Sequence, residues 1–459
     1  MKSNRLYEKF SPAYLFCLII AVLGLIYVFI TPPFETPDEP SHFLRAYGVT
    51  EGQLILKNHP RELVIFFQER IRQRHREFYE YLDNIIKKES DRIPNIAFNT
   101  SLYSPVPYLG YSAVIKLITL NGSKPPGKLQ LITAFYLSRI VSLSFLVGVV
   151  FLCSIKLSSS SPLKWPLLWL ASTPMVIAQA ASINIDTVVF GASMLILLLS
   201  IGQIELWRNI LIVVITGLVL MMSKPVYAPI LLISLVSLIC SNTKNKYQKA
   251  AVLCIGCGLT LAPALFWNYT IKTNGILEHF IEVEATFGYK NVNPSIQLSQ
   301  IIDNPFRFLG VILNTFIIHG ENLYHQFVGV LSWLDTPVPV WTTVLWAFSA
   351  IASLFLSDST YPPTKRYLLG PACMISAVLC FLMVVLSGYL LWMGVGADTI
   401  LLQGRYFHVI VAIVMLGISL YIPPMLSSSN RERIKWILII SACIINATGI
   451  FKLMEKFWI

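Results

Sequence analysis

Apolar runs long enough to cross a bilayer recur from one end of the chain to the other, separated by short polar segments. A hydrocarbon core about 30 Å thick takes about 20 helical residues to span. The pattern predicts eleven membrane helices, over 12–31, 133–156, 165–181, 186–202, 208–222, 226–240, 249–269, 339–357, 367–390, 405–424 and 433–453. Two polar stretches, 32–131 and 270–338, interrupt the series. In the first, Leu63, Phe66, Phe67, Ile71, Phe78, Leu82, Ile85 and Ile86 recur at helical spacing beside Arg70, Arg72, Arg74, Arg76, Lys87 and Lys88. That spacing predicts an amphipathic helix, lying on the membrane surface or packed on its own loop. Tyr103-Ser-Pro-Val-Pro-Tyr and the apolar Leu109–Leu120 predict a further element returning to the membrane. In the second stretch Phe306–Ile318, interrupted by Arg307, is short for a span and fits an interfacial or re-entrant helix. Residues 1–459 are therefore read as one all-α, polytopic integral membrane domain with two loop regions.

Composition agrees: 55% of the 459 residues are hydrophobic and only 13% charged, about half the charge of a soluble protein. The 35 basic residues outnumber 24 acidic ones. In a soluble chain this excess would suggest nucleic acid. Here the lysines and arginines cluster in short loops between spans, as the positive-inside rule requires, and no nucleic-acid partner is expected. With the N-terminus in the cytoplasm, the short inner loops carry 14 Lys and Arg against 3 outside. Leu15–Ile30 is followed by no small-residue cleavage site and reads as a retained helix behind Lys2, Arg5 and Lys9. Both long loops then lie outside. The eight cysteines fall within or beside apolar segments and read as small hydrophobes, including the Cys254–Cys257 pair.

Polar side chains at the ends of membrane spans are costly, and five groups of them fall on the outer side in this topology. They are Asp38, Glu39, His42 and Arg45 after the first span; Asn184 and Asp186; Lys224 and Tyr227; Asp335; and Gln403, Arg405 and Tyr406. The reading requires all five to converge on one face. Pro32, Pro33, Pro37 and Pro40 stiffen the Asp38–Glu39 segment. Two adjacent carboxylates near a low-dielectric boundary suit a general base or a divalent cation such as Mg, Mn or Ca, and equally an acidic helix cap. Arg405 suits a phosphate or carboxylate, or an interfacial anchor with Tyr406 beside it. Lys224, between Met222 and Pro225, needs an anionic partner: Asp38, Asp186 or a ligand. Asp186 and Asp335 also read as helix-start or turn residues, and His408 as a packed helix residue. The chain has no zinc spacing, P-loop, dinucleotide fingerprint or nucleophile elbow.

In this order the motifs resemble the bacterial multi-pass membrane family catalogued as domain of unknown function 2142, which is similar to type-C glycosyltransferases. The resemblance rests on Pro37-Asp-Glu-Pro-Ser-His-Phe, Tyr103-Ser-Pro-Val-Pro-Tyr, Pro174-Met with Ser182-Ile-Asn-Ile-Asp, Lys224-Pro-Val-Tyr, Phe327-Val-Gly-Val-Leu-Ser-Trp-Leu-Asp and Gln403-Gly-Arg-Tyr-Phe. The chain departs from the family's pattern at Ile185, Ser332 and His408-Val409. The resemblance implies a GT-C-like fold and transfer of a sugar from a polyprenyl-phosphate donor to a glycan or lipid-linked acceptor, on the extracytoplasmic side. It puts Asp38 and Glu39 in the catalytic place, with or without a divalent cation. Arg405 and Lys224 would then meet the phosphate, and His42, Tyr406, Gln403, Asp186, Tyr227 and Asp335 would line the substrate site. Two other classes compete: a transporter or flippase for a lipid-linked glycan, and a non-catalytic membrane assembly protein. A transporter would place its charges at the midplane in paired halves, and no internal repeat supports that plan.

Overall fold

Prolines and asparagines set where the helices begin. Asn293-Pro294 and Asn304-Pro305 each open a helix, with proline at a first-turn position that needs no N–H and the asparagine side chain accepting from Ile296 N and Arg307 N. Asn304 is also where the preceding helix stops. Its non-helical backbone (φ −144°, ψ 79°) turns the chain between the two helices by 109°. The computed structural model describes residues 12–55, 99–120, 127–158, 161–202, 204–286, 291–357 and 362–459. Among these the architecture is helical, apart from one short hairpin, β1 (Val330–Leu331) paired antiparallel with β2 (Thr336–Pro337). The amphipathic helix expected over 63–86 lies outside the described residues.

Among the described residues five helices are long and apolar enough to cross a membrane: α1 (Pro12–Ile30), α4 (Lys128–Lys156), α10 (Lys246–Thr273), α15 (Pro363–Trp392) and α17 (Ser428–Phe457). A sixth span results if the bent pair α12 (Pro294–Asp303) and α13 (Pro305–Gly329) is counted as one. Other runs read as spans form shorter apolar helices: α7 (Asp186–Gly202), α8 (Trp207–Ser223), α9 (Leu231–Ile239), α14 (Val340–Leu354) and α16 (His408–Ser419). A 3₁₀ turn precedes two of them, Pro225–Ile230 before α9 and Gly404–Phe407 before α16. The described residues thus have the make-up of an all-α membrane protein, with five or six helices of full spanning length among them.

Two expectations are corrected. The run 165–181 is not one continuous helix but two short ones, α5 (Lys164–Ala171) and α6 (Pro174–Ala180). Pro174 forces the preceding Thr173 into extended backbone (ψ 132°). The polar groups exposed at this break are satisfied by neighbouring helices: Asn446 donates to Ser172 O at 2.8 Å and Trp346 Nε1 to Thr173 Oγ1 at 2.9 Å. The stretch 306–318 is not a thirteen-residue element either, since α13 runs on for 25 residues to Gly329.

One large apolar core joins most of the helices, with Phe16, Leu167, Trp169, Leu197, Phe327 and Leu416 inside it. A second core seats the segment between α1 and α4. Here Phe43, Leu44 and Tyr47 of α2 (Glu39–Thr50) and Tyr111 and Ile115 of α3 (Leu109–Thr119) pack on Phe135 of α4 and on Ile183 and Ile185. This second core presses the acidic turn after α1 against the turn before α7. All eight cysteines are free thiols; Cys17, Cys153, Cys373 and Cys380 are buried, whereas Cys254 is exposed rather than packed.

Candidate functional site

The acidic turn begins where α1 stops, at Thr31-Pro-Pro. Asp38 takes a left-handed backbone (φ +63°) and opens α2, with Pro40 following inside its first turn. Its carboxylate accepts from Arg405 Nη2 at 2.6 Å. Arg405 lies in the 3₁₀ turn Gly404–Phe407, which approaches α13 so closely that only glycine fits at 404. A Cβ there would sit 2.2 Å from Leu323 O and 2.3 Å from Phe327 N. Gln326 Oε1 accepts from Gly404 N and fixes the same turn.

Arg405 Nε is 3.4 Å from Asp186 Oδ2, and the other Asp186 oxygen accepts from Lys224 Nζ. Four charges from residues 38, 186, 224 and 405 thereby form one alternating, electrically neutral chain: Lys224, Asp186, Arg405, Asp38. Asp38 is its open end, with 27% of its side chain exposed against 5% for Arg405. Lys224 also lies over the Tyr406 ring at 4.5 Å, and Tyr227 OH donates to Tyr406 O at 2.8 Å. Ser104 Oγ donates to Met222 O, tying the segment before α3 to the end of α8 beside Lys224. His42 stacks on Tyr103 with 16° between the ring planes, and its Nδ1 pairs with Tyr108 OH at 2.7 Å. Burial holds the His42 imidazole down to about 4, against the pull of Asp38 and Asp186, so the ring is neutral at physiological pH. Burial likewise raises the Tyr103 phenol to about 12.

The required convergence is therefore present for Asp38, Asp186, Lys224, Arg405, Tyr227 and Tyr406. Gln403 adjoins the cluster in sequence, and its buried Oε1 has no hydrogen-bond partner. Two assignments are corrected. Glu39 is not a member: it is fully buried, and both of its oxygens are consumed elsewhere. Arg139 of α4 donates to Oε1 and Oε2 at 2.8 and 2.6 Å, Ile183 N to Oε1, and Thr36 Oγ1 and Phe34 N to Oε2. Asp335 also stands apart, paired with Lys456 of α17 at 2.6 Å. Asp38 and Glu39 thus do not form a shared cation cage, because every oxygen of Glu39 is already saturated by donors. Among the described residues no group of three or more His, Cys, Asp or Glu side chains gathers to hold a metal ion. His408 is a packed residue, between Phe190 and Phe327 with Nε2 paired to Phe327 O.

Arg139 was not anticipated, although its signal is plain: a lone guanidinium inside an apolar span demands a carboxylate. Arg45, also fully buried, is satisfied by carbonyls, donating to Tyr103 O, Gln53 O and Leu54 O. It shapes the wall of the site without meeting the charge chain.

No curated protein and no solved structure matches this chain. The family model described as "Predicted membrane protein (DUF2142)" matches residues 21–416, a stretch that takes in every charge of the cluster from Asp38 to Arg405. The chain belongs to this family of predicted membrane proteins.

Proposed function

We propose that this protein is a GT-C-like membrane glycosyltransferase. It moves a sugar from a polyprenyl-phosphate donor to a cell-surface glycan or lipid-linked acceptor at the extracytoplasmic rim of the bilayer. The observation that carries this reading is the contact of Asp38 with Arg405 at 2.6 Å, backed by Asp186 and Lys224. A partly exposed acid and two cations meet at one place although they lie far apart in the sequence. On this reading the shorter apolar helices complete a set of eleven spans, with the lipid tail of the donor between them and the sugar against Tyr103, His42 and Tyr406.

The proposed step is a direct displacement. The acceptor hydroxyl oxygen bonds to the anomeric carbon, the bond from that carbon to the phosphate oxygen breaks, and the hydroxyl proton passes to Asp38. Arg405 orients the Asp38 carboxylate for this role as a positioned base. The leaving polyprenyl phosphate gains negative charge, which Arg405 and Lys224 meet. The Asp38–Glu39 pair does not fit a divalent cation, so no step is routed through one.

The test is to express Asp38→Asn, Arg405→Met and Lys224→Met in cells lacking the gene and compare surface polysaccharide composition. One sugar should be missing in the deletion, be restored by the parent protein and stay missing with Asp38→Asn at equal protein level. Restoration by Asp38→Asn rejects the base. The complete internal pairing of both cations favours a second reading, a neutral staple in a non-catalytic assembly protein. That reading predicts unchanged glycans in the deletion strain.

A further inference from the structure

The turn that presents Asp38 is strained, and something must hold it. Phe34 and Asp38 have φ +68° and +63°, and a second strained pair, Ser332 and Leu334 (φ +55° and +59°), lies in the hairpin loop between β1 and β2. Non-glycine residues keep such conformations only where surrounding contacts impose them. The two loops are joined: Trp333, between the strained hairpin residues, donates Nε1–H to Phe34 O at 2.9 Å. The hairpin is tied in turn to the end of α17, where Lys456 Nζ donates to Ser332 Oγ at 2.9 Å and to Asp335 Oδ1 at 2.6 Å. Two residues later Trp458 Nε1 donates to Ile30 O at 2.8 Å, at the root of the same turn. The end of α17 thus grips the acidic turn twice, directly at Ile30 and through the hairpin at Phe34.

We infer that Trp333, Asp335 and Lys456 are positioning residues that hold the Phe34–Asp38 turn so that the Asp38 carboxylate meets Arg405. Asp335 then has a mechanical role rather than a place among substrate ligands. The functional consequence rests on the glycosyl-transfer reading; the mechanical one rests on the contacts alone.

Two readouts separate these. Hydrogen–deuterium exchange of the full chain in detergent follows the amides of 34–42, with a peptide from α4 as control. Trp333→Phe keeps an aromatic ring but removes the indole N–H with the five-membered half of the bicycle, and Lys456→Met removes the ion pair. Each should speed exchange in 34–42 by about fivefold, the worth of one hydrogen bond, and leave the control unchanged. Lys456→Arg should keep the protection. In cells, the sugar product should fall with Trp333→Phe and Lys456→Met and persist with Lys456→Arg. Unchanged exchange in 34–42 overturns the inference whatever the product does. Faster exchange with full product overturns its functional half, whereas product made by Asp38→Asn overturns the reading beneath it. Should Trp333→Phe fail to accumulate, Lys456→Met carries the test alone, because Lys456 lies at the partly exposed end of α17.

Discussion

Replacing Glu39 by glutamine should unfold this protein rather than disable its chemistry, and the size of the effect follows from what Glu39 holds. The side chains of Glu39 and Arg139 are both fully buried. Arg139 also donates to Val28 O, Thr31 O and Pro32 O, while Glu39 collects the amides of Phe34 and Ile183. The pair therefore clamps the end of α1, the acidic turn, α4 and the turn before α7. Removing one partner of such a pair leaves an uncompensated buried charge and costs about 3–5 kcal/mol. Glu39→Gln retains shape and one acceptor oxygen but turns an N–H donor toward the guanidinium, so the full cost applies. Arg139→Met alone should cost as much. The double variant should cost well under the sum, with a coupling of about 2 kcal/mol or more, because no charge is then left alone. It should not return to parent stability, because three carbonyls lose their donor. The assay is thermal exposure of the buried thiols of Cys17, Cys153, Cys373 and Cys380 to a thiol-reactive fluorophore in detergent. Additive single effects, or a Glu39→Gln protein within about 0.5 kcal/mol of the parent, would refute the clamp.

Three further outcomes are expected. His42 is held to about 4 by burial, against 6.5 when free, so the unfolded chain binds a proton that the folded one refuses. Stability should be flat above pH 6.5 and fall by about 3 kcal/mol as pH drops to 4, and melting curves of His42→Gln should lack that slope. Gly404→Ala puts a methyl group against the backbone of Leu323 and Phe327, which must displace the Arg405 turn; about 1–3 kcal/mol should be lost in the thiol assay, with the sugar product. Asp186→Asn deprives both Lys224 and Arg405 of a counter-charge and should melt lower than Lys224→Met, which leaves Asp186 still beside Arg405; the reverse order would break the proposed charge chain.

The helical membrane class was legible because burial in lipid demands long apolar runs, and those runs are visible one residue at a time. What hydropathy does not encode is continuity. Residues 165–181 are mostly apolar, yet Ser172-Thr173-Pro174 splits them, and the break persists because Asn446 and Trp346 reach it from helices far along the chain. Likewise Asn304 ends one helix and caps the next, so a 109° corner stands where the composition is merely interrupted. The Pro174 break is met at long range and the Asn304 corner by its own cap on Arg307 N; only the local residue is in view in the sequence.

The charge cluster was legible for a related reason. In a chain this apolar, an isolated charge at a span end has few partners to choose from, so Asp186, Lys224, Arg405 and Asp38 were bound to be sought out by one another. Arg139 separates Glu39 from Asp38: Arg139 and Arg405 each take one carboxylate and the adjacent acids divide between them, whereas the buried Arg45 is met by carbonyls alone. The division has a stereochemical basis. Asp38 is left-handed (φ +63°) and non-helical, whereas Glu39 is the first helical residue of α2. Neighbouring side chains across such a helix start point in different directions, one to the open rim and one into the protein. An acidic pair in a proline-rich turn is thereby made into a structural anchor and an accessible carboxylate. The anchor sets the position of the turn against α4, and that position places the carboxylate on Arg405.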